Sequence, residues 1–180
     1  MKSRRIITAM MLIGFTISVT ISSSVIAQEL TPTQTAQIQT NCQSIKSVLN
    51  QLHVSDALLR VNRGQLYESI ATKLMDRFNS RLASSDFESS NFQAITSNFR
   101  DELTKFRTDY VNYERQLSRV IAIDCQENPT EFNLALENAR ALRFKVRDDV
   151  ERLNQHIIDY QAAVNNFYTS YQQLTSGGTD

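Results

Sequence analysis

The chain has 180 residues, of which 41% are hydrophobic and 21% charged, and its formal net charge at pH 7 is zero. This composition excludes a disordered chain, and the charge balance excludes the basic excess typical of nucleic-acid-binding proteins. Between residues 33 and 176, Gly64 and Pro129 are the only glycine and proline. Because strand-rich folds need frequent turns, this scarcity predicts an all-α fold and excludes a Gly-rich phosphate loop.

The first 27 residues have the pattern of a secretory signal peptide. A short basic start precedes an apolar run over residues 6–21, and Val25 and Ala27 are spaced as in a cleavage site before Gln28. The alternative is an uncleaved anchor, because residues 6–26 are long enough to span a bilayer. We expect a secreted or extracytoplasmic protein. Without the signal segment, acidic residues exceed basic ones by three, so neither nucleic acid nor a membrane surface is an expected partner.

Cys42 and Cys125 are the only cysteines. In an oxidising compartment, a single pair predicts one intramolecular disulfide. The alternatives are two buried free thiols or an intermolecular bond. The ligand spacing of a zinc site does not occur, because the sequence has neither a CxxC motif nor clustered histidines.

The first helix is predicted over residues 32–83. Thr31, Pro32 and Gln34 form a capping box with proline in the first turn. Apolar residues then recur in alternating steps of four and three, with Asp56 and Arg63 as charged exceptions. The predicted stripe comprises Ile38, Cys42, Ile45, Leu49, Leu52, Asp56, Leu59, Arg63, Leu66, Ile70, Leu74, Phe78 and Leu82.

Two more amphipathic helices follow. A polar segment over residues 84–91 leads to a helix predicted over 91–123, with a stripe from Phe92 to Val120. Asn128, Pro129 and Glu131 then form another helix start, and the third helix is predicted over 129–174. The third stripe keeps a 3.5-residue period with Arg143 as its one charged member, which predicts coiled-coil-like packing.

Short connections predict an antiparallel, up-down-up bundle over residues 28–175, followed by a disordered tail at 176–180. Placing Cys125 level with Cys42 sets Asp56 and Arg143 at the same height on the first and third helices. We expect these two residues to form a structural ion pair that fixes the register. The alternative is that each side chain reaches solvent at the edge of its stripe.

Groups that could support catalysis are sparse. His53 and His156 are too far apart along the predicted bundle to share a metal ion. Asp148, Asp149 and Glu151 are interpreted as a solvated helix face. Because no base accompanies a Ser or Cys nucleophile, we expect no catalytic, cofactor-binding or metal site.

Aromatic residues gather at the predicted upper end. They are Phe78, Phe87, Phe92, Phe167, Tyr168 and Tyr171. One interpretation is a core plug that closes the bundle. The other is a partner contact formed by Phe87, Tyr168 and Tyr171, because Phe87 lies in a polar loop and Tyr168 lies off the stripe.

Two resemblances bear on function. Residues 30–34, Leu-Thr-Pro-Thr-Gln, resemble an element of small helical periplasmic chaperones, although the second copy usual in those proteins is absent. Residues 38–170 are similar to secreted all-helical proteins of reduced-genome, candidate-phyla-type bacteria. The residues that carry this second likeness are Asp124-Cys125, Pro129, Phe132, Ala139-Arg140 and the segment 149–154. It implies export, a helical bundle and no assigned activity.

The expected function is therefore that of an exported, non-enzymatic helical protein, which acts by protein–protein contacts at the cell envelope or surface. The alternative is a periplasmic-type holdase chaperone. The partner is an unidentified protein. Three amphipathic helices fit either a monomer or a homodimer.

Overall fold

A computed structural model describes residues 29–176. Its elements are α1 (Pro32–Ser69), a π-helical turn (Ile70–Met75), α2 (Asp76–Ser84), α3 (Ser90–Ala122) and α4 (Pro129–Ser176). Both junctions of the π turn keep helical dihedrals, so α1, the π turn and α2 form one continuous rod, here called the N-terminal rod. No strand occurs among the described residues. The predicted all-α bundle is confirmed, whereas the segment predicted to be a signal peptide and residues 177–180 lie outside the described range.

The helix starts follow local sequence rules. At Thr31, the side chain accepts a hydrogen bond from the Gln34 backbone and the Gln34 side chain accepts one from the Thr31 backbone, so the predicted capping box is confirmed. The connection after α2 contains Asp86 with φ of 58°, a left-handed conformation that Asp tolerates better than most residues. α4 continues through Ser176, past the predicted end at 174.

The polar contacts establish the direction of each helix. Gln116 of α3 donates to the Ala135 carbonyl at 3.0 Å, and Arg152 of α4 contacts Glu102 of α3 at 2.7 Å. Residue numbers fall along α3 as they rise along α4, so these two helices are antiparallel. They pack together more extensively than any other pair.

The N-terminal rod is antiparallel to α3 as well. Arg60 contacts Glu114 at 2.8 Å, and Glu68 contacts Arg107 at 2.7 Å, so numbers again run in opposite directions. The rod and α4 are consequently parallel. This is the predicted up-down-up order.

The core has α3 at its centre. Buried residues recur along α3 in steps of three and four from Phe92 to Val120, as the stripe predicts. The one difference is in the first turns of α3, where Ile95, the predicted stripe residue, is half-buried and the next residue, Thr96, is buried instead. Thr96 can be buried because its hydroxyl donates to the Phe92 carbonyl and accepts from the Asn79 amide.

The predicted stripe of the rod is wrong over the turns that follow Asp56, but it is correct again near the end of the rod, where Phe78 packs against the core and Leu82 is buried. Leu59, Leu66 and Leu74 are 48–61% exposed, and Arg63 is exposed too. The residues that are buried there are Tyr67, Ala71 and Met75. A straight α-helix drifts by about 20° per heptad from a strict seven-residue period, and the eleven-residue step from Asp56 to Tyr67 turns the buried face in the opposite direction and offsets this drift. The π turn Ile70–Met75 follows, and it carries two residues of this buried face, Ala71 and Met75.

Candidate functional site

At the lower end of the bundle, the two cysteines link the rod to the connection between α3 and α4. Cys42 in α1 and Cys125 before α4 form a disulfide with Cα atoms 5.6 Å apart, and both residues are buried. Beside it, the Gln39 side chain donates to the Gln126 carbonyl at 2.9 Å. A cysteine pair at this distance is consistent with an extracytoplasmic location.

Asp56 and Arg143 are brought together. Arg143 Nε lies 3.2 Å from Asp56 Oδ2, and the Tyr113 hydroxyl donates to the same oxygen at 2.7 Å. Asp56 is 7% exposed, whereas the Arg143 side chain is 55% exposed and reaches solvent. Burial raises the pKa of Tyr113, and its hydrogen bond to Asp56 adds in the same direction, so Tyr113 stays a neutral donor. The predicted ion pair therefore forms, and the Arg143 side chain also reaches solvent, as the alternative expected.

Asp149 was interpreted as part of a solvated face, and this is wrong. It is fully buried between α3 and α4, where it contacts Arg152 and lies 3.5 Å from Lys105 Nζ. Its Oδ2 atom has no hydrogen-bond partner among the described residues. Burial raises the pKa of Asp149, and the nearby charge of Asp109 adds to the effect. The missed signal was Lys105, a cation on the facing turn of α3 at the level of Asp149.

The aromatic upper end forms as expected, but the three proposed contact residues differ in exposure. Phe87 packs edge-on against Phe167 and Tyr171, with ring centroids 5.2 and 5.9 Å away. Tyr171 is 44% exposed and Tyr168 is 60% exposed. Phe87 therefore belongs mainly to the plug, and the two tyrosines present surface to solvent.

A polar group is buried next to this plug. The Tyr160 hydroxyl donates to Asn79 Oδ1 at 2.7 Å and lies 3.1 Å from the Met75 carbonyl. Burial raises the pKa of Tyr160 to about 12. This contact joins the rod to α4 above the level of Asp56 and Arg143.

A cavity between the rod and α4 was not predicted from the sequence. It has a volume of about 520 Å³, within the usual range for small-molecule sites. α3 forms its floor through Phe106, Tyr110 and Tyr113, and Leu59 and Phe144 form apolar parts of its sides. We call it the upper cavity. It exists because no residue of the rod between Asp56 and Tyr67 is buried, so the rod leaves the core unfilled along this stretch.

Arginines surround the upper cavity. They are Arg60, Arg63, Arg140, Arg143 and Arg147. Four of them have carboxylate partners, in the pairs Arg60–Glu114, Arg140–Glu137, Arg143–Asp56 and Arg147–Glu151. Arg63 has no hydrogen-bond or ion-pair partner among residues 29–176. The signal in the sequence was the three- and four-residue spacing of Arg140, Arg143 and Arg147, which places them on one face of α4.

Tyr110 adds an unpartnered donor. The residue is 5% exposed, its ring lies 5.6 Å from the Arg60 guanidinium carbon, and its hydroxyl has no hydrogen-bond partner among the described residues. Burial raises the pKa of Tyr110, and the charges of Asp56 and Glu114 act in the same direction. The hydroxyl is therefore protonated at physiological pH and available to donate.

Arg63 pairs with no acid of α4 among the described residues. Arg63, Val150 and Glu151 do line the same cavity, but Glu151 pairs with Arg147 and Asp149 lies on the α3 side.

His53 and His156 are separated as expected, and the His53 ring contacts the Ser118 hydroxyl at 3.2 Å.

Comparison of the chain with protein-family models, with curated proteins and with solved structures finds no match. Within residues 29–176, none of the helices combines the length and apolarity needed to cross a bilayer. The same range contains no cluster of three or more His, Cys, Asp or Glu residues able to hold a metal ion.

Proposed function

We propose that this chain is an exported, non-enzymatic helical protein that acts by contact with a protein partner in the extracytoplasmic space. The observation that carries the proposal is an apolar stripe on the outer face of the rod. Val54, Leu58 and Val61 are 62%, 64% and 47% exposed and follow one another in steps of four and three. We call these three residues the outer stripe.

The outer stripe favours a partner because of its arrangement. Single exposed apolar residues are common on monomeric proteins, but residues at this spacing form one continuous strip along a helix. Burying such a strip against a partner removes it from water, and amphipathic surfaces of this kind are used in helix-mediated recognition. The buried carboxylate of Asp56 already accepts from Tyr113 and Arg143, which supports a structural rather than a catalytic role for it.

The test is site-specific photo-crosslinking in the native envelope. A photoreactive residue at Leu58 of the full chain should give a protein adduct, whereas one at Arg119, exposed near the lower end of α3, should give none. Leu58→Glu should abolish pull-down of the same partner without changing the unfolding temperature. An adduct of twice the chain mass would identify the partner as a second copy. Equal labelling from both positions would contradict the proposal.

Export is part of the proposal and has its own test. N-terminal sequencing of the extracytoplasmic protein should begin at Gln28, which follows the predicted cleavage site. A full-length product retained in the membrane fraction would instead support the anchor.

A holdase chaperone remains the second candidate, because apolar exposure is not confined to the outer stripe. Phe144, Ile158 and Tyr168 are 57–61% exposed along α4. A holdase should suppress the aggregation of an unfolded client at near-stoichiometric ratio. Suppression that survives Leu58→Glu would favour this candidate over a defined partner contact.

A further inference from the structure

Two residues that line the upper cavity carry hydrogen-bond donors without an acceptor among residues 29–176. One is the Arg63 guanidinium, on the rod, and the other is the buried Tyr110 hydroxyl, on α3. A buried hydroxyl that lacks a partner is costly, so such groups are usually satisfied by a ligand or water in the functional state. Arginine guanidinium groups carry a positive charge at physiological pH.

The upper cavity is bounded at both ends along the bundle, and it opens to solvent at its side, where Leu59 and Phe144 are exposed. Below it, Arg143 reaches from α4 to Asp56 on the rod at 3.2 Å. Above it, Tyr160 of α4 reaches the Met75 carbonyl of the rod at 3.1 Å. A long helical segment could not lie in the groove past these crossings. The space between the two crossings therefore favours a small occupant.

The walls of the cavity are mainly apolar. Phe106 forms the floor, and Leu59, Phe144 and Val150 lie around it. A ligand that satisfies the two donors must accept hydrogen bonds, and one that fills the remaining space must be apolar. An unpaired arginine favours a negative charge on the accepting group, because charge-assisted bonds are shorter and stronger than neutral ones.

We propose that the upper cavity binds a small anionic amphiphile, with its carboxylate or phosphate on Arg63 and Tyr110 and its apolar body against Phe106 and Phe144. This site is separate from the outer stripe, so it goes beyond the proposed function and can fail independently of it. The ligand would also fill the gap between the rod and α4, so bound protein should unfold at a higher temperature than free protein.

The first experiment uses two fluorescent probes with the same aromatic body. 8-Anilinonaphthalene-1-sulfonate carries a sulfonate, and N-phenyl-1-naphthylamine is uncharged. The folded, mature protein should bind one equivalent of the sulfonate probe. Arg63→Gln and Tyr110→Phe should each weaken that binding by about tenfold, the effect of losing one charge-assisted or buried hydrogen bond. Their effect on the uncharged probe should be less than about twofold.

Three controls make the result specific. Arg119→Gln and Tyr168→Phe remove the same groups from exposed positions away from the cavity and should change neither probe. Leu59→Trp should fill the cavity and abolish binding of both. Each variant is checked by circular dichroism and thermal unfolding, because the sulfonate probe also binds partly unfolded protein. Arg63 is exposed, so its variant remains informative even if Tyr110→Phe does not fold.

Displacement of the sulfonate probe then distinguishes the headgroups. Dodecanoate and dodecyl phosphate, below their micellar concentrations, should compete, and the stronger competitor identifies the headgroup chemistry. Dodecyltrimethylammonium should not compete. Equal displacement by the cationic amphiphile, or unchanged sulfonate binding in Arg63→Gln, would overturn the proposal and leave only a non-specific apolar surface.

Discussion

Arg143 and Asp56 lie 87 residues apart in the sequence, and Arg143 Nε contacts Asp56 Oδ2 at 3.2 Å. The two members of this pair are unequal. Asp56 is buried, whereas the Arg143 side chain is 55% exposed. The aspartate is therefore the charged group that has lost most of its hydration. Breaking the pair from the arginine side should therefore cost more than breaking it from the aspartate side.

A double-mutant cycle tests this asymmetry. Arg143→Leu should destabilise the protein by about 1–3 kcal/mol, because Asp56 stays buried without a counter-charge and keeps only the hydrogen bond from Tyr113. Asp56→Leu should cost less, because Arg143 can extend into water. In the double variant most of the loss should be recovered, and urea unfolding should give a coupling energy above about 0.5 kcal/mol. The exposed pair Arg119–Glu131 serves as the control, with coupling near zero. Additive effects at Asp56 and Arg143 would contradict the role assigned to the pair.

The disulfide should contribute a large part of the stability. It closes a loop of 83 residues, for which the chain-entropy model gives about 4–5 kcal/mol as an upper value. Replacing Cys42 and Cys125 together by Ala should lower the free energy of unfolding by up to that amount. Intact mass after alkylation without reductant should show no modified thiol in the mature protein. Two alkylated cysteines in freshly isolated material would mean that the bond does not form in the cell.

Asp149 should make stability fall as the pH rises. Burial raises the pKa of this carboxyl, so the folded state binds its proton more tightly than the unfolded state does. The resulting stabilisation is complete below the ordinary Asp range, near pH 4, and is lost as the pH rises through the folded-state pKa. Asp149→Asn should therefore be more stable than the wild type at pH 7, with a difference that shrinks towards pH 4.

The neighbouring Asp148 provides the control for that experiment. It is exposed, so Asp148→Asn should not reproduce the pH-dependent difference. The opposite result would be that Asp149→Asn is less stable than the wild type at pH 7, with a smaller difference at pH 4. In that case the attraction of Lys105 and Arg152 for the carboxylate would outweigh the cost of its lost hydration.

Gly64 should be replaceable with a gain in stability. It lies inside α1, and a Cβ atom built there meets no atom within 4 Å. Gly64→Ala should raise the free energy of unfolding by about 0.4–1 kcal/mol, because alanine has less freedom to lose in the unfolded chain. The reverse change at a nearby helical position, Ala57→Gly, should lower it by a similar amount. A loss of stability in Gly64→Ala would show that the rod moves against its neighbours at this point.

Burial was predicted most accurately from the sequence where a helix with a regular apolar period packs against neighbouring helices along its whole length. The stripe of α3 from Phe92 to Val120 is buried almost as predicted, because α3 has a helix on each side along its length. In the rod, the pattern was correct up to Asp56, failed over the turns that follow, and was correct again at Phe78 and Leu82. Leu59 and Leu66 are apolar but exposed, whereas Tyr67 and Met75 are buried, so hydrophobicity alone did not identify the inner face.

The cavity and the burial of Asp149 could not be predicted from one helix at a time. Asp149 is surrounded by charged residues in the sequence, and its burial depends on Lys105 and Glu102 of a different helix. Likewise, Arg63 and Tyr110 belong to different elements, and they line one cavity only because the rod stands away from α4 between Asp56 and Tyr67. Such features follow from the relative placement of helices, which a periodic pattern specifies only within a few residues.

The two crossings that close the cavity also determine how the rod can move. The rod is held below by Cys42 and Asp56 and above by Met75, at the Tyr160 hydroxyl, while its middle has no buried side chain. Between Asp56 and Tyr67 the rod contacts α3 through the partly exposed Arg60–Glu114 pair and buries no side chain, so it should bend most easily there. Amide hydrogens around residues 57–66 should therefore exchange with solvent faster than those of α3 at the same height. Such bending would admit a ligand while both ends of the bundle stay folded.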